Sequence, residues 1–167
     1  AISRELVAGQ TAFLLDVRGI GAVETVDMSC YGGPFPGSML NTTSWIAWLA
    51  YCAGKSLVGM RVFDVIRATQ MLREKYGFSS IGLHAAGVEP ALWGYLAAAI
   101  DNKLEPIIIS GLISSFADVV RTERYRTDIL PSAMIHGILR KFDLPDLVPL
   151  FRGRTCQIET VGVNACE

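Results

Sequence analysis

One tight turn lies where α/β proteins commonly place a reacting residue. The apolar run Ile81 to Ala85 leads into the turn His84-Ala85-Ala86-Gly87, and an alanine-rich segment follows it. A strand, a sharp turn and a helix in this order present a nucleophile at the carboxyl end of a parallel strand. The turn contains no Ser, Cys or Asp. The residue that would attack a substrate is therefore missing from its expected place.

The turn can be aligned in more than one register, so the nucleophile position falls on His84, Ala85 or Gly87. An imidazole can itself act as a nucleophile or a metal ligand, but a metal site needs several ligands. The other histidine, His136, lies in an irregular stretch of the chain. We interpret both histidines as structural. We interpret Glu89 as an acidic residue in the first turn of a helix, with a general base as the alternative.

Three aromatic residues, Trp45, Trp48 and Tyr51, follow one another at intervals of three. Flat rings of this kind could line a glycan-binding cleft by stacking on sugar rings. An interval of three residues also places side chains on one side of a helix. We therefore prefer packing in the core.

The composition limits the classes of protein to consider. The chain has 167 residues, a hydrophobic fraction of 51% and a formal net charge of −1. This hydrophobic content predicts buried parallel strands, and the scattered charges argue against a nucleic-acid surface. No apolar run approaches the ~20 residues that span a bilayer. We expect one domain and no cofactor, and the sequence leaves the cellular compartment open.

The four cysteines form no C-x-x-C pair, which argues against a zinc site. We expect free, buried thiols, with a disulfide as the alternative. The cysteines are Cys30, Cys52, Cys156 and Cys166.

Strands and helices alternate along the chain. Apolar runs predict strands at Thr11–Val17, Ile81–Ala85, Leu104–Leu112 and Thr155–Val161. A short helix is predicted through Trp45, Trp48 and Leu49, with Thr42 or Thr43 as its cap. A longer helix is predicted at Arg61–Tyr76, ended by Gly77, and another at Ala91–Ile100, with Pro90 in its first turn. Shorter helical patches lie near Ala117–Arg124 and Ser132–Lys141. This alternation predicts an α/β fold with three αβα layers and a mostly parallel sheet.

Several segments, in this order, resemble one family. Asp16–Gly21 reads DVRGIG, which is similar to a D-x-R-G-x-G turn that follows a central strand in many α/β-hydrolases. GMRVFDVIRATQMLREKYG resembles the helix before their nucleophile strand. SGLISSFADVV and PSAMIHGILRKFDLPDL resemble the acetyl-xylan-esterase-like branch of that superfamily. The likeness covers nearly the whole chain from Ala12 onward.

The resemblance implies an incomplete α/β-hydrolase fold. Residues 1–167 would form a single, partial domain, with an insertion at 113–150 between strands. In the family, one strand precedes the Thr11–Val17 strand and lies between it and the Ile81–Ala85 strand. The residues before Thr11 are too few to supply it. We therefore expect a gap in the sheet, filled by another chain or segment unless the strand order has changed. Direct pairing of these two strands would contradict the gap.

The resemblance also implies that the catalytic roles are vacant. A Ser-His-acid triad needs a hydroxyl, an imidazole and a carboxylate. The acid position falls near Val163 or Asn164, and asparagine carries no charge to stabilise an imidazolium. The family's histidine comes in a segment beyond Glu167. Asp16 and Arg18 are expected to pair with neighbouring loops.

Three functions are consistent with these residues. The first is a catalytically degenerate domain of a carbohydrate-esterase-like protein, which supports or regulates a catalytic domain or binds a glycan. The second is a carboxylic-ester hydrolase whose triad is completed outside this chain. The third is an assembly module that uses exposed apolar surface. The expected partners are another polypeptide segment that supplies a strand, and a glycan.

Overall fold

A computed structural model describes residues 2–7, 10–23, 42–123 and 135–163. Within these ranges the strands are β1 (Ile2–Val7), β2 (Gln10–Leu15), β3 (Ile81–Ala86), β4 (Leu104–Ile113) and β5 (Cys156–Val161). The α-helices there are α1 (Thr42–Cys52), α2 (Leu57–Tyr76), α3 (Val88–Ile100) and α4 (Phe116–Arg121). Short 3-10 helices form at Gly21–Val23, Ile138–Arg140 and Leu144–Phe151.

The α/β fold expected from the sequence is confirmed. β3, β4 and β5 form a parallel sheet in that order, with helices on both of its sides. β1 and β2 form a separate antiparallel hairpin. A strand therefore does precede Thr11, but it pairs antiparallel with β2. No described residue of β2 pairs with β3. The direct pairing that would have contradicted the expected gap in the sheet is therefore not found among the described residues.

The two faces of the parallel sheet differ in burial. Leu83 and Ala85 of β3 face α3, and their partners in β4, Ile107 and Ile109, are almost fully buried. On the other face His84 is exposed, and its partner Ile108 keeps 40% of its surface accessible. The core therefore lies between the sheet and the layer that α2 and α3 form.

Capping fixes both ends of α2. The Ser56 hydroxyl accepts a hydrogen bond from the Gly59 amide at 3.3 Å, which satisfies one free N–H of the first turn. At the other end Gly77 has φ 71°, the left-handed conformation that ends many helices and that glycine adopts without strain. The helix ends as predicted at Tyr76 but begins four residues before Arg61.

Helix α1 is not packed as the sequence predicts. It begins at Thr42, so the two threonines lie within its first turn and do not precede it. Trp45, Trp48 and Tyr51 are 46%, 57% and 50% exposed, which contradicts their assignment to the core.

The Asp143-Leu144-Pro145-Asp146-Leu147 segment has a structural role. The Asp143 carboxylate accepts hydrogen bonds from the backbone amides of Phe116, Ala117 and Leu144 at 2.7–3.2 Å. The Asp143 amide in turn donates to Asp146 at 2.8 Å. One side chain therefore caps α4 and begins the 3-10 helix Leu144–Phe151.

Other expectations have mixed outcomes. Within residues 135–141 only Ile138–Arg140 is helical, and it is a 3-10 helix. Cys52 and Cys156 are free but exposed, so the prediction of buried thiols is wrong for both. Cys30, Cys166 and Asn164 lie outside the described residues. None of the described helices combines the length and apolar character that a bilayer crossing requires.

Candidate functional site

The carboxyl ends of the parallel strands form the candidate site, since ligands of open α/β sheets bind at this edge. β3 ends at Ala86 and α3 begins at Val88, so the turn between them is the single residue Gly87. Gly87 has φ 93° and ψ 158°, a region that is essentially restricted to glycine. Its amide donates to the carbonyl of Ser110 on β4 at 2.9 Å, and its carbonyl accepts from Ala91 at 2.8 Å. These bonds fix the turn against both neighbouring elements.

The three candidate nucleophile positions lie in different surroundings. His84 and Ala85 belong to strand β3, on its exposed and buried faces respectively. Gly87 alone occupies the turn. A Cβ atom at Gly87 would lie 3.8 Å from Cδ of Pro90, so no neighbouring atom blocks it, but the backbone conformation of Gly87 strains any residue other than glycine. Gly87 itself therefore contributes no reacting atom to this position.

Arg61 connects the elements around the turn. Its side chain is only 3% exposed, and it donates to Glu89 of α3 at 2.9 Å and to Thr43 of α1 at 2.9 Å. It also donates to the carbonyl of Arg18 at 3.2 Å, and its guanidinium lies 5.1 Å from the centre of the Trp93 ring. Burial lowers the pKa of Arg61, although Glu89 acts in the opposite direction. The group stays cationic because arginine does not deprotonate in proteins.

The DVRGIG turn is held to α2 in a similar way. The Arg18 guanidinium forms a two-pronged ion pair with Asp64, and the Arg18 amide donates to the same carboxylate at 3.1 Å. Burial alone would raise the pKa of Asp64, but these hydrogen bonds and the charge of Arg18 together hold it below its ordinary value. Asp16 accepts from the amide of Ala22 at 3.2 Å. The contact of Asp16 is thus with the 3-10 helix Gly21–Val23, and Arg18 pairs with α2.

Glu89 and the two histidines have different surroundings among the described residues. Glu89 lies in the first turn of α3, where the helix dipole favours negative charge, and it binds Arg61. His84 lies on the sheet face opposite α3, and its imidazole forms no hydrogen bond with a described residue, although we expected one. His136 packs edge-on against the Tyr51 ring, with centres 6.2 Å apart. Within the described ranges no set of three His, Cys, Asp or Glu side chains could hold a metal ion.

Two spaces lie next to these residues. A cavity of about 10 Å³, the size of one water molecule, is lined by Leu57, Val58, Arg61, Glu89, Leu92 and Trp93. An open groove of about 380 Å³ lies at the start of α2, between Arg18, Lys55, Ser56, Gly59, Met60 and Phe63. The described residues that line either space do not include a base, a nucleophile and an orienting group together.

Arg61, Asp64 and Asp143 are the residues that the sequence reasoning missed. A signal existed for Arg61, since it precedes Val65 by four residues and Thr69 by eight, which places it on the apolar stripe of α2. A charge on such a stripe must find partners when the stripe is buried.

Comparisons with protein-family models, with curated proteins and with solved structures found no match for this chain. The resemblance to α/β-hydrolases therefore depends on the quoted segments alone.

Proposed function

We propose that this chain is a catalytically inactive α/β-hydrolase-like domain of a carbohydrate-esterase-like protein, and that it acts as a structural or regulatory partner of a catalytic domain. One observation carries the proposal. The residue between β3 and α3, where such a fold presents its nucleophile, is Gly87, which has no side chain.

The polar groups around the turn support this proposal because they are already engaged. Arg61 holds Glu89, and Arg18 holds Asp64, each in an ion pair. Acyl transfer requires a hydroxyl or thiol within hydrogen-bond reach of an imidazole. His84 is within the strand and faces away from α3, so it is not directed at the turn.

We propose further that another polypeptide segment completes the sheet. Among the described strands, β3 and β5 each pair only with β4. Helices lie on both sides of the sheet, but His84 and Ile108 stay exposed on the face opposite α3. A backbone group left without a partner when buried costs about 1–3 kcal/mol. A strand added beside β3 would satisfy several such groups together.

Hydrolysis of an aryl acetate tests the inactive state. We expect the chain, its Gly87→Ser variant and the matched control Gly87→Ala to stay at the rate of buffer alone, because no imidazole is placed to activate a hydroxyl. Activity of the unaltered chain that disappears in His84→Ala would contradict the proposal. The same variants are also measured in the complete polypeptide, where activity that appears in Gly87→Ser but not in Gly87→Ala would favour an ester hydrolase whose triad is completed outside this chain.

Hydrogen exchange of the β3 backbone tests the open edge. In a parallel strand alternate amides point to opposite neighbours. We expect the amides of Ile81–Ala86 that do not donate to β4 to exchange much faster than those that do. Uniform protection along the strand in the isolated chain would mean that this edge is already paired.

A further inference from the structure

The indole of Trp93 carries a buried polar group that has no partner among the described residues. Trp93 lies in the middle of α3 and is only 6% exposed, and its Nε1 atom donates no hydrogen bond there. Most buried polar groups of folded proteins are hydrogen-bonded, either to protein or to an ordered water molecule. Leaving a buried N–H unpaired costs stability, because the group has given up its hydrogen bond to solvent. This N–H is therefore expected to have a partner of another kind.

A cavity beside the indole has room for one small partner. It measures about 10 Å³, and Trp93 lines it together with Arg61 and Glu89. A space of about 10–15 Å³ is what one water molecule needs. The other walls are the apolar side chains of Leu57, Val58 and Leu92. The cavity is therefore large enough for a single water molecule and for nothing bigger.

The charged walls offer this molecule both a donor and an acceptor. Arg61 has five N–H groups and uses three of them in its hydrogen bonds to α1, to α3 and to the DVRGIG turn. Two N–H donors of Arg61 remain among the described contacts. The Glu89 carboxylate can accept about four hydrogen bonds through its two oxygens. A molecule that both donates and accepts can therefore bind Arg61, Glu89 and the indole together.

The two charges also decide what kind of molecule fits. A cation would lie against the Arg61 guanidinium and an anion against the Glu89 carboxylate, and like charges repel strongly where water is largely excluded. We propose that the cavity binds one neutral water molecule. It accepts hydrogen bonds from Nε1–H of Trp93 and from Arg61, and it donates one to Glu89. Three hydrogen bonds are typical of a buried water. The site links α2 to α3 and does not depend on the proposed function.

Proton magnetic resonance of the unaltered chain tests this site. We expect a cross-peak between the Trp93 indole proton and water that changes sign between NOESY and ROESY spectra, as it does for a water that tumbles with the protein. Trp48 is the control, because it is 57% exposed and meets only brief surface water and chemical exchange. Its indole proton should show no such change of sign. A Trp93 indole proton without the cross-peak, or with one that keeps its sign, would overturn the proposal.

A substitution that fills the cavity gives a second, independent test. Val58→Ile adds a methylene group to a wall of the cavity and should remove the cross-peak by displacing the water. It should also lower the urea midpoint, because the indole N–H loses its partner. Val62→Ile is the matched control, since Val62 is also buried on α2 but does not line the cavity, and it should keep the cross-peak.

Two results with folded variants, checked by circular dichroism, would contradict the water site. The first is a cross-peak that survives in Val58→Ile, which would place the water elsewhere. The second is a urea midpoint that rises in Val58→Ile, as expected when a methylene group fills a dry cavity.

Discussion

Replacing Gly94 with alanine tests how closely helix α3 lies on strand β3 beside the turn. A Cβ atom at Gly94 would lie 2.8 Å from the Cβ of Ala85 and 3.5 Å from Cδ2 of Leu83. Carbon atoms in contact prefer about 3.5–4.0 Å. The helix and the strand would therefore have to separate by about 0.7 Å.

Two effects of opposite sign decide the result. Within a helix, alanine is favoured over glycine by about 0.8–1 kcal/mol, whereas overpacking a core costs about 1–3 kcal/mol. Residues Ala91 to Ala98 of α3 are all buried, so the helix has little freedom to move away. We expect Gly94→Ala to lower the free energy of unfolding by about 1–2 kcal/mol, measured by urea denaturation followed by circular dichroism.

Gly59→Ala is the matched control. Gly59 is also helical, but a Cβ there would have only the Cβ of Ser56 as a neighbour, at 3.8 Å. The same substitution should therefore stabilise the chain by up to about 1 kcal/mol. The double variant Ala85→Gly/Gly94→Ala moves the methyl group from the strand to the helix and should recover much of the loss. If Gly94→Ala stabilised the chain as Gly59→Ala does, α3 would not lie this close to β3, and the geometry of the turn would be wrong.

Two further predictions concern buried charges. Arg61→Met should lower the free energy of unfolding by about 1–3 kcal/mol, because it removes the hydrogen bonds that the buried guanidinium donates to Glu89, Thr43 and the Arg18 carbonyl. Exposed Arg67→Met is the control, expected within about 0.5 kcal/mol of the unaltered chain. The second prediction concerns how the stability depends on pH, through Asp101. Burial raises the pKa of Asp101, but hydrogen bonds from Arg73, Thr69 and a backbone amide lower it, as does the charge of Arg73. Together they hold this pKa below its ordinary value. Its stabilisation is present above about pH 4 and is lost as the pH falls through the lowered pKa. Urea midpoints measured down to about pH 2 should fall less steeply for Asp101→Asn. Equal stability of the two arginine variants, or an unchanged acid limb for Asp101→Asn, would contradict the contacts described.

Local signals in the sequence predicted the end of α2 and the bounds of the three parallel strands well. Gly77 ends α2 in the left-handed conformation because glycine alone adopts it without strain. The apolar runs of β3, β4 and β5 predicted those strands to within one residue at each end. Each depends on residues that are adjacent in the chain, so a single sequence contains the necessary information.

The packing of α1 could not be predicted in this way. Trp45, Trp48 and Tyr51 recur at intervals of three, and so do Ser44, Ala47 and Ala50. Periodicity identifies both strips but does not say which one faces the domain. In the structure the small residues are the buried ones and the large residues are exposed. Such an outcome depends on surfaces that are distant in sequence.

The role of Arg61 was missed for a related reason. Its three hydrogen-bond partners come from residues 18, 43 and 89 of the chain. The sequence shows a charge on an apolar stripe, but only the fold brings its partners together.

The cap formed by Asp143 bears on how inactive enzymes can be recognised. Its carboxylate binds three backbone amides at the starts of two helical segments, so exchanging it would expose unsatisfied donors whether or not any reaction takes place. A chain that has stopped turning over substrate can keep this aspartate simply to stay folded. Resemblance in the segment around Asp143 therefore indicates a shared architecture. Whether a nucleophile is present is indicated by the residue in the turn after β3.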